Sequence, residues 1–283
     1  VPELPEVESI RQGLRLGVSG DERAGERPSL IGMEISAVDV LWARSIHTPD
    51  AAEFVATLPG RALVEVGRRG KFLIFHLSAG AMLIHLRMSG DLLVERGGDY
   101  GAHQRVVIHF KQGWRLAFND PRKFGRVWLV DDPEQVLAGL GPEPLAPSFS
   151  SQLLAEKLQA TTRQIKPLLM DQSFLAGLGN IYTDEALYRA KIHPLTPARQ
   201  VSRERAEALW DSIRFVLAEG IRMNGASIDW VYRGGAFQNQ FQVYGRKGQA
   251  CRACGTTIQR ILVGQRSTFF CPICQSLTEN RPV

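Results

Sequence analysis

"CRACGTTIQRILVGQRSTFFCPIC" (Cys251–Cys274) holds all four cysteines of the chain, as two C-x2-C pairs on either side of sixteen residues, Gly255–Phe270. A C-x2-C turn can place two thiolates on one side of a metal ion, and two such turns complete a tetrahedral site. Between them, two short β-like stretches flank "VGQRS", the layout of a zinc-ribbon hairpin. Two disulfides are the alternative, which suits secreted proteins. No basic, apolar, small-residue leader opens the chain, so a cytoplasmic location and zinc are expected. Four cysteine ligands leave no open coordination position. Cys251, Cys254, Cys271 and Cys274 are therefore expected to hold one structural Zn2+, with no organic cofactor.

The surroundings of this array are basic. From Trp230 to Val283, seven basic residues meet one acid, Glu279, a local excess larger than the +5 carried by the whole 283-residue chain. The sequence pI of about 9.2 favours an anionic partner. Arg266 falls near the hairpin tip, where a guanidinium either grips a phosphate in bidentate fashion or merely aids solubility.

Upstream lie two further zones. To about Asp132, β-like runs such as "LVEV", "KFLIFHL", "AMLIHLRMSG", "RVVIHF", "WRLAF" and "GRVWLV" alternate with Gly, Asp and Pro, the pattern of an antiparallel sandwich or barrel. "SGDERAGERPS" (Ser19–Ser29) reads as an exposed loop, and "LGPEPLAPSFS" (Leu140–Ser150), with three prolines and no period, as a linker. Beyond it the pattern turns helical in "SSQLLAEKLQA", "TRQIKPLLMDQ", "NIYTDEALYRAKI" and "SRERAEALWDSIRFVLAEGIRMNG". The last has Ser202 as N-cap and Gly225 just past its end. No run of about 18 apolar residues occurs, so no membrane-spanning helix is expected.

Three further stretches carry chemistry. In "LAGLGNIYTDEAL", glycines precede a helix whose free N–H groups and positive dipole end suit phosphate; Asn180 either caps that helix or reaches the phosphate itself. "HLRMSG" sets His85 and Arg87 on one face of an expected strand, with Leu86 and Met88 on the other. "NDPRKFG" reads as a turn with Arg122 and Phe124 at its exit. Met, Phe and Arg are residue types that wedge into a base stack, but a Met or Phe in a β domain is more often core.

Together, "PELPEVE" (Pro2–Glu8), "GRRGKFL" (Gly67–Leu73), "HLRMSG", "DPRKFG", "LGPEPL", "GLGNIYTDEAL", "QVYGRKG" (Gln242–Gly248) and the cysteine array resemble the bacterial formamidopyrimidine-DNA glycosylase family over nearly the whole chain. The resemblance implies an α+β fold: an N-terminal antiparallel β-sandwich with flanking helices (2–139), a helix–two-turns–helix DNA-binding domain (140–228), and a lesion-loop segment with a C-terminal zinc-ribbon finger (229–283, the finger itself 244–278). Damaged double-stranded DNA would lie in a cleft between them, bound by a monomer with no membrane role. Asp229–Phe241 looks shorter than the family's lesion-capping loop.

The implied reaction is excision of 8-oxoguanine and formamidopyrimidines followed by strand cleavage. An α-amino group titrates near 8, well below lysine, so more of it is free base at neutrality. The Pro2 nitrogen would attack the sugar C1′, with Glu3 moving protons, Lys71 serving β-elimination and Arg266 binding phosphate and serving δ-elimination. The resemblance also assigns Met88, Arg122 and Phe124 to the gap left by an extruded base. It gives His85, His103, Thr162, Lys166, Asn180 and Tyr244 to DNA contacts. Glu6 and Glu185 are acids near the site, with helix capping or a surface salt bridge the competing reading. A retained Val1 would turn the Pro2 nitrogen into a tertiary amide, so the active chain is expected to start at Pro2. The rival readings are an endonuclease VIII-like enzyme for oxidised pyrimidines and, from another class, a non-catalytic zinc-finger damage binder.

Overall fold

The computed structural model describes residues 2–18, 27–227 and 234–277. Val1 and most of the Ser19–Ser29 stretch lie outside the described residues, as do residues 229–233 of the expected lesion loop. The chain divides into two units: residues 1–139 with 227–234, and residues 140–226 with 235–283.

The first unit opens on helix α1 (Leu4–Leu16). Glu3 is its N-cap, and the Glu6 carboxylate accepts the Glu3 N–H at 2.8 Å in a capping box. Leu4, Val7 and Leu14 form its buried face, and the helix stops at Gly17, whose φ of 75° few other residues adopt. Then follow β1 (Ile35–Val40), β2 (Ile46–Thr48), α2 (Ala51–Thr57), β3 (Leu63–Arg69), β4 (Phe72–Leu77), β5 (Ala81–His85), β6 (Asp91–Arg96), β7 (Gln104–Phe110), β8 (Trp114–Asn119), β9 (Arg126–Val130) and a short α3 (Glu134–Leu137). They build a four-stranded sheet in the order β1-β7-β8-β6 and a five-stranded sheet in the order β2-β9-β5-β4-β3. Val106, Ile108, Leu116 and Phe118 of the first sheet share one core with Val66, Leu73, Phe75, Met82 and Ile84 of the second. Each such side chain contributes about 1.5–3 kcal/mol on burial. The expected sandwich is present with one exception: β2 runs parallel to β9, because the chain leaves β2 through α2 and not through a hairpin.

A polar clamp sets α1 on the five-stranded sheet. Glu8 receives Arg11 Nη2 at 2.7 Å, Gln12 Nε2 at 2.9 Å and Arg68 Nε at 3.0 Å, while Arg11 also donates to the Val66 carbonyl at 3.3 Å. Burial alone would raise the Glu8 carboxyl, but the donors outweigh it and hold it below its ordinary value.

In the second unit, residues 140–150 are irregular but not a free linker. Gly141 donates to Gln172 O at 2.8 Å, Ala176 donates to Pro142 O at 3.0 Å, and Phe149 is buried. The Pro142 and Pro144 carbonyls are capped by neighbours, the second by Arg214 Nη1 at 2.8 Å, so the stretch packs against the helices. Helices α4 (Ser151–Gln159), α5 (Ile165–Leu169), α6 (Asn180–Arg189) and α7 (Arg203–Arg222) follow, then the hairpin β10 (Gln259–Val263) and β11 (Arg266–Phe270). Ser202 Oγ accepts the Arg205 N–H, and Gly225 (φ 78°) lies past the end of α7, as its sequence signals predict. None of the helices is long and apolar enough to cross a membrane among the described residues.

Glu8→Gln should lower unfolding free energy by about 1–3 kcal/mol, because it leaves the Arg68 and Arg11 guanidiniums short of a charged acceptor. Urea denaturation of the two proteins at neutral pH checks this.

Candidate nucleic-acid interface and metal centre

The first unit assembles two groups of residues. At the N-terminal end of α1, Pro2, Glu3 and Glu6 are all buried, the two carboxylates 2% exposed. Lys71 sits in the two-residue turn Gly70–Lys71 joining β3 to β4, where Gly70 (φ 56°) supplies the positive φ that such a hairpin needs. Arg68 Nη1 donates to the Gly70 carbonyl at 3.0 Å while its Nε holds Glu8. One arginine therefore ties the Lys71 turn to the helix that begins next to Pro2 and Glu3.

The other group is organised by Asp120, a fully buried carboxylate that the sequence reading passes over as part of a turn. Its Oδ2 accepts the Gly125 N–H at 2.7 Å, and its Oδ1 takes the Arg122 N–H at 3.2 Å and the Ser89 hydroxyl. Its own N–H donates to the His103 carbonyl at 2.8 Å. One side chain thus gathers the Met88–Ser89 turn, His103 and the Arg122–Phe124 turn. Two glycines permit the close approach: a Cβ on Gly125 would lie 2.2 Å from Phe118, and one on Gly90 would lie 2.4 Å from the Leu86 carbonyl.

Two expectations change here. Strand β5 ends at His85, and Arg87 adopts φ 56° in a turn, so strand alternation does not govern Met88. The core assignment for Phe124 also fails, because the ring is 47% exposed with the Arg122 guanidinium 4.9 Å from its centre. Met88 is half-buried. The ring stands at the surface on an exposed turn whose flanking residues, Asp120 and Gly125, are buried.

His85 lies across from Phe72 in the sheet, their rings 4.7 Å apart edge to face. The Arg87 N–H donates to His85 Nδ1 at 3.0 Å, which leaves the ring proton on Nε2. Burial first, then the charges of Arg87 and Lys71, push its pKa down to about 3. At neutral pH it is an uncharged Nε2–H donor.

In the second unit, the first turn of α6 and strand β11 are bolted together. Asn180 is not the cap; Gly179 is, and Asn180 Nδ2 donates to the Ser267 carbonyl at 3.0 Å. Lys166, expected at a phosphate, is instead fully buried, its Nζ 2.7 Å from Asp184 Oδ1 and 3.2 Å from the same Ser267 carbonyl. Having no exposure to solvent, it supports the strand. The other oxygen of Asp184 accepts the Phe269 N–H at 2.9 Å. Arg266, one residue before Ser267, is exposed at the start of β11, and Thr162 is also exposed. Glu185 is neither cap nor surface ion pair: its carboxylate takes the N–H groups of Gln242, Val243 and Tyr244 at 2.9, 3.0 and 2.8 Å. Tyr244 is thereby fixed, with its ring 5.2 Å from that of Phe269. Burial pushes the carboxyls of both Asp184 and Glu185 upward, against the pull of these donors.

The four cysteines converge. Their sulfurs lie within 4.8 Å of one another, with Cys251–Cys274 at 3.9 Å and Cys254 at 3.5 Å from both Cys271 and Cys274. Disulfide sulfurs sit at about 2.05 Å, so none of these pairs is bonded. Tetrahedral Zn–S bonds of about 2.3 Å would separate sulfurs by about 3.8 Å, which this cluster matches. Cys251 and Cys271 with Val243 and Ile258 form a small core, with Cys274 packed against it, and a module with so little apolar burial gains much of its stability from a metal cross-link.

Comparison with known proteins agrees across the chain. Residues 1–127 match the formamidopyrimidine-DNA glycosylase N-terminal domain, residues 140–231 the formamidopyrimidine-DNA glycosylase H2TH domain, and residues 248–277 the zinc finger found in FPG and IleRS. A DNA glycosylase architecture with a helix–two-turns–helix domain and a four-cysteine finger is thereby defined. Formamidopyrimidine-DNA glycosylases of Chloroflexus aggregans and Chloroflexus aurantiacus are 43% and 44% identical to it, over 99% and 100% of this chain and all of theirs. A crystal structure of wild-type Lactococcus lactis Fpg (MutM) with N7-benzyl-Fapy-dG DNA superposes with a TM-score of 0.88 at 35% identity, covering 98% of this chain and 100% of that one. The chain belongs to the formamidopyrimidine-DNA glycosylase family.

Stability should fall as pH drops from about 6.5 toward 3, because unfolded His85 gains a proton that the folded ring refuses. His85→Gln should flatten this part of the profile, measured as urea midpoints between pH 7 and 4.

Proposed function

We propose that the chain removes oxidised purines, 8-oxoguanine and formamidopyrimidines, from duplex DNA and then cuts the strand, as a base-excision repair enzyme of the cytoplasm and nucleoid. The observation that carries this reading is Pro2 and Glu3, buried together at the N-terminal end of α1 in a chain of this family. It requires a free secondary amine at Pro2.

The Pro2 nitrogen attacks C1′ as the bond from C1′ to the damaged base breaks, and the N–H proton that the amine sheds goes to the departing base. Glu3 supplies a proton to the sugar ring oxygen as the C1′–O4′ bond opens, leaving an iminium between Pro2 and C1′. That cation acidifies the C2′ proton; its removal expels the 3′ phosphate, with Lys71 serving proton transfer, and a second elimination expels the 5′ phosphate. Arg266 binds phosphate and serves the second elimination. Asn180, joined to Arg266 through Ser267, Tyr244 and Thr162 belong to the DNA-facing set in this reading, and His85 enters it as a neutral donor. Met88, Arg122 and Phe124 fill the gap of the extruded base, with His103 beside them. Lys166, Glu6 and Glu185 act through the backbone they hold. The four cysteines hold the structural zinc, which takes no part in these steps.

Borohydride trapping on an 8-oxoguanine duplex should give a covalent adduct whose intact mass corresponds to a chain starting at Pro2. A variant carrying an extra glycine ahead of Pro2 should bind DNA and give no adduct; an undiminished adduct would remove Pro2 as nucleophile. Stronger trapping on a thymine-glycol duplex would move the substrate to oxidised pyrimidines. Arg266→Ala should reduce the slope of log affinity against log salt by about one unit. An unchanged slope takes Arg266 off the phosphate.

A further inference from the structure

The sulfur cluster is touched from outside the ribbon. Tyr188, near the C-terminal end of α6, packs against the small core formed by Val243, Cys251, Ile258 and Cys271. Its hydroxyl lies 3.2 Å from Cys251 Sγ, across 63 residues of sequence. A metal-bound cysteine is a thiolate and can only accept, so the phenol is the donor.

Four thiolates around a dication leave the centre with two negative charges, and each hydrogen bond to a sulfur draws off part of that excess. The bond also fixes the direction of the sulfur lone pair and the rotamer of Cys251, which is what outer partners do for metal ligands generally. Here the donor comes from the helix that also carries Asn180 at its first residue and, in its second turn, Asp184 and Glu185, which bind backbone N–H groups of the C-terminal segment. Tyr188 therefore links the metal centre to the element that positions Arg266 and Tyr244.

We infer that Tyr188 is a positioning residue of the metal centre: its hydroxyl, donating to Cys251 Sγ, retards loss of zinc and anchors the first C-x2-C turn to α6. The inference stands apart from the glycosylase reading, since it concerns metal retention and not lesion chemistry.

The test uses the full-length, zinc-loaded protein. Tyr188→Phe keeps the ring and its packing and removes only the donor. Zinc transfer to a competing chelator should show affinity weakened by about tenfold. In the Co2+-substituted protein, the sulfur-to-cobalt charge-transfer band should move to lower energy, because a thiolate relieved of its hydrogen bond gives up an electron more readily. Tyr100→Phe, which removes a hydroxyl bonded to Asp39 and remote in sequence from every cysteine, should change neither readout. If either readout in Tyr188→Phe matches the unmodified protein, or if Tyr100→Phe shifts them equally, the inference is overturned.

Discussion

Two carboxylates on neighbouring residues of α6, Asp184 and Glu185, are 1% and 3% exposed, and the arrangement of the C-terminal half depends on how they are satisfied. An ionised carboxylate out of water costs several kcal/mol unless donors replace the lost hydration. Asp184 finds the buried ammonium of Lys166 and the Phe269 N–H; Glu185 finds three successive N–H groups. The backbone donors, at 242–244 and 269, belong to a segment with only a small core of its own. The small cysteine module thus takes its rigidity from a helix, through charges that tolerate few alternative arrangements.

The N-terminal unit solves a comparable problem differently. Its sandwich is large enough to be held by apolar burial, and polar groups are used to aim loops. Asp120 spends both oxygens and its own N–H on three separate turns, and Glu8 joins a helix start to a hairpin through Arg68. In both units carboxylates hold turns and element ends that come from distant parts of the chain.

Much of this was legible in the residues, and what was hidden has a common cause. The cysteine array, the hairpin between its halves and the long helix after Ser202 are local patterns, and they appear where the spacing puts them. Strands β1 and β6 are not among the readable runs, and β2, at three residues, is too short to show a period. Lys166 is the instructive case. The resemblance gives this lysine to a DNA contact, and nothing nearby in sequence reveals that Asp184 and a carbonyl from residue 267 will enclose it. Asp120 lies inside a legible turn motif, but its partners at 89 and 103 come from other turns and leave no mark on that motif. Local periodicity reports which face is buried; it is silent on which distant groups will share a proton donor.

Strand β11 begins at Arg266, directly after the hairpin turn. Gly264 and Gln265 both have positive φ, and Val263 pairs with Arg266 across this two-residue turn. Along β11, the Ser267 carbonyl and the Phe269 N–H face α5 and α6, while Thr268 and Phe270 turn their side chains inward. Strand geometry has a parity of two, so adding or removing a single residue would exchange these roles along the whole strand. β11 can therefore change length only two residues at a time if the Ser267 carbonyl and the Phe269 N–H are to keep facing the helices, and β10 must change with it to stay paired.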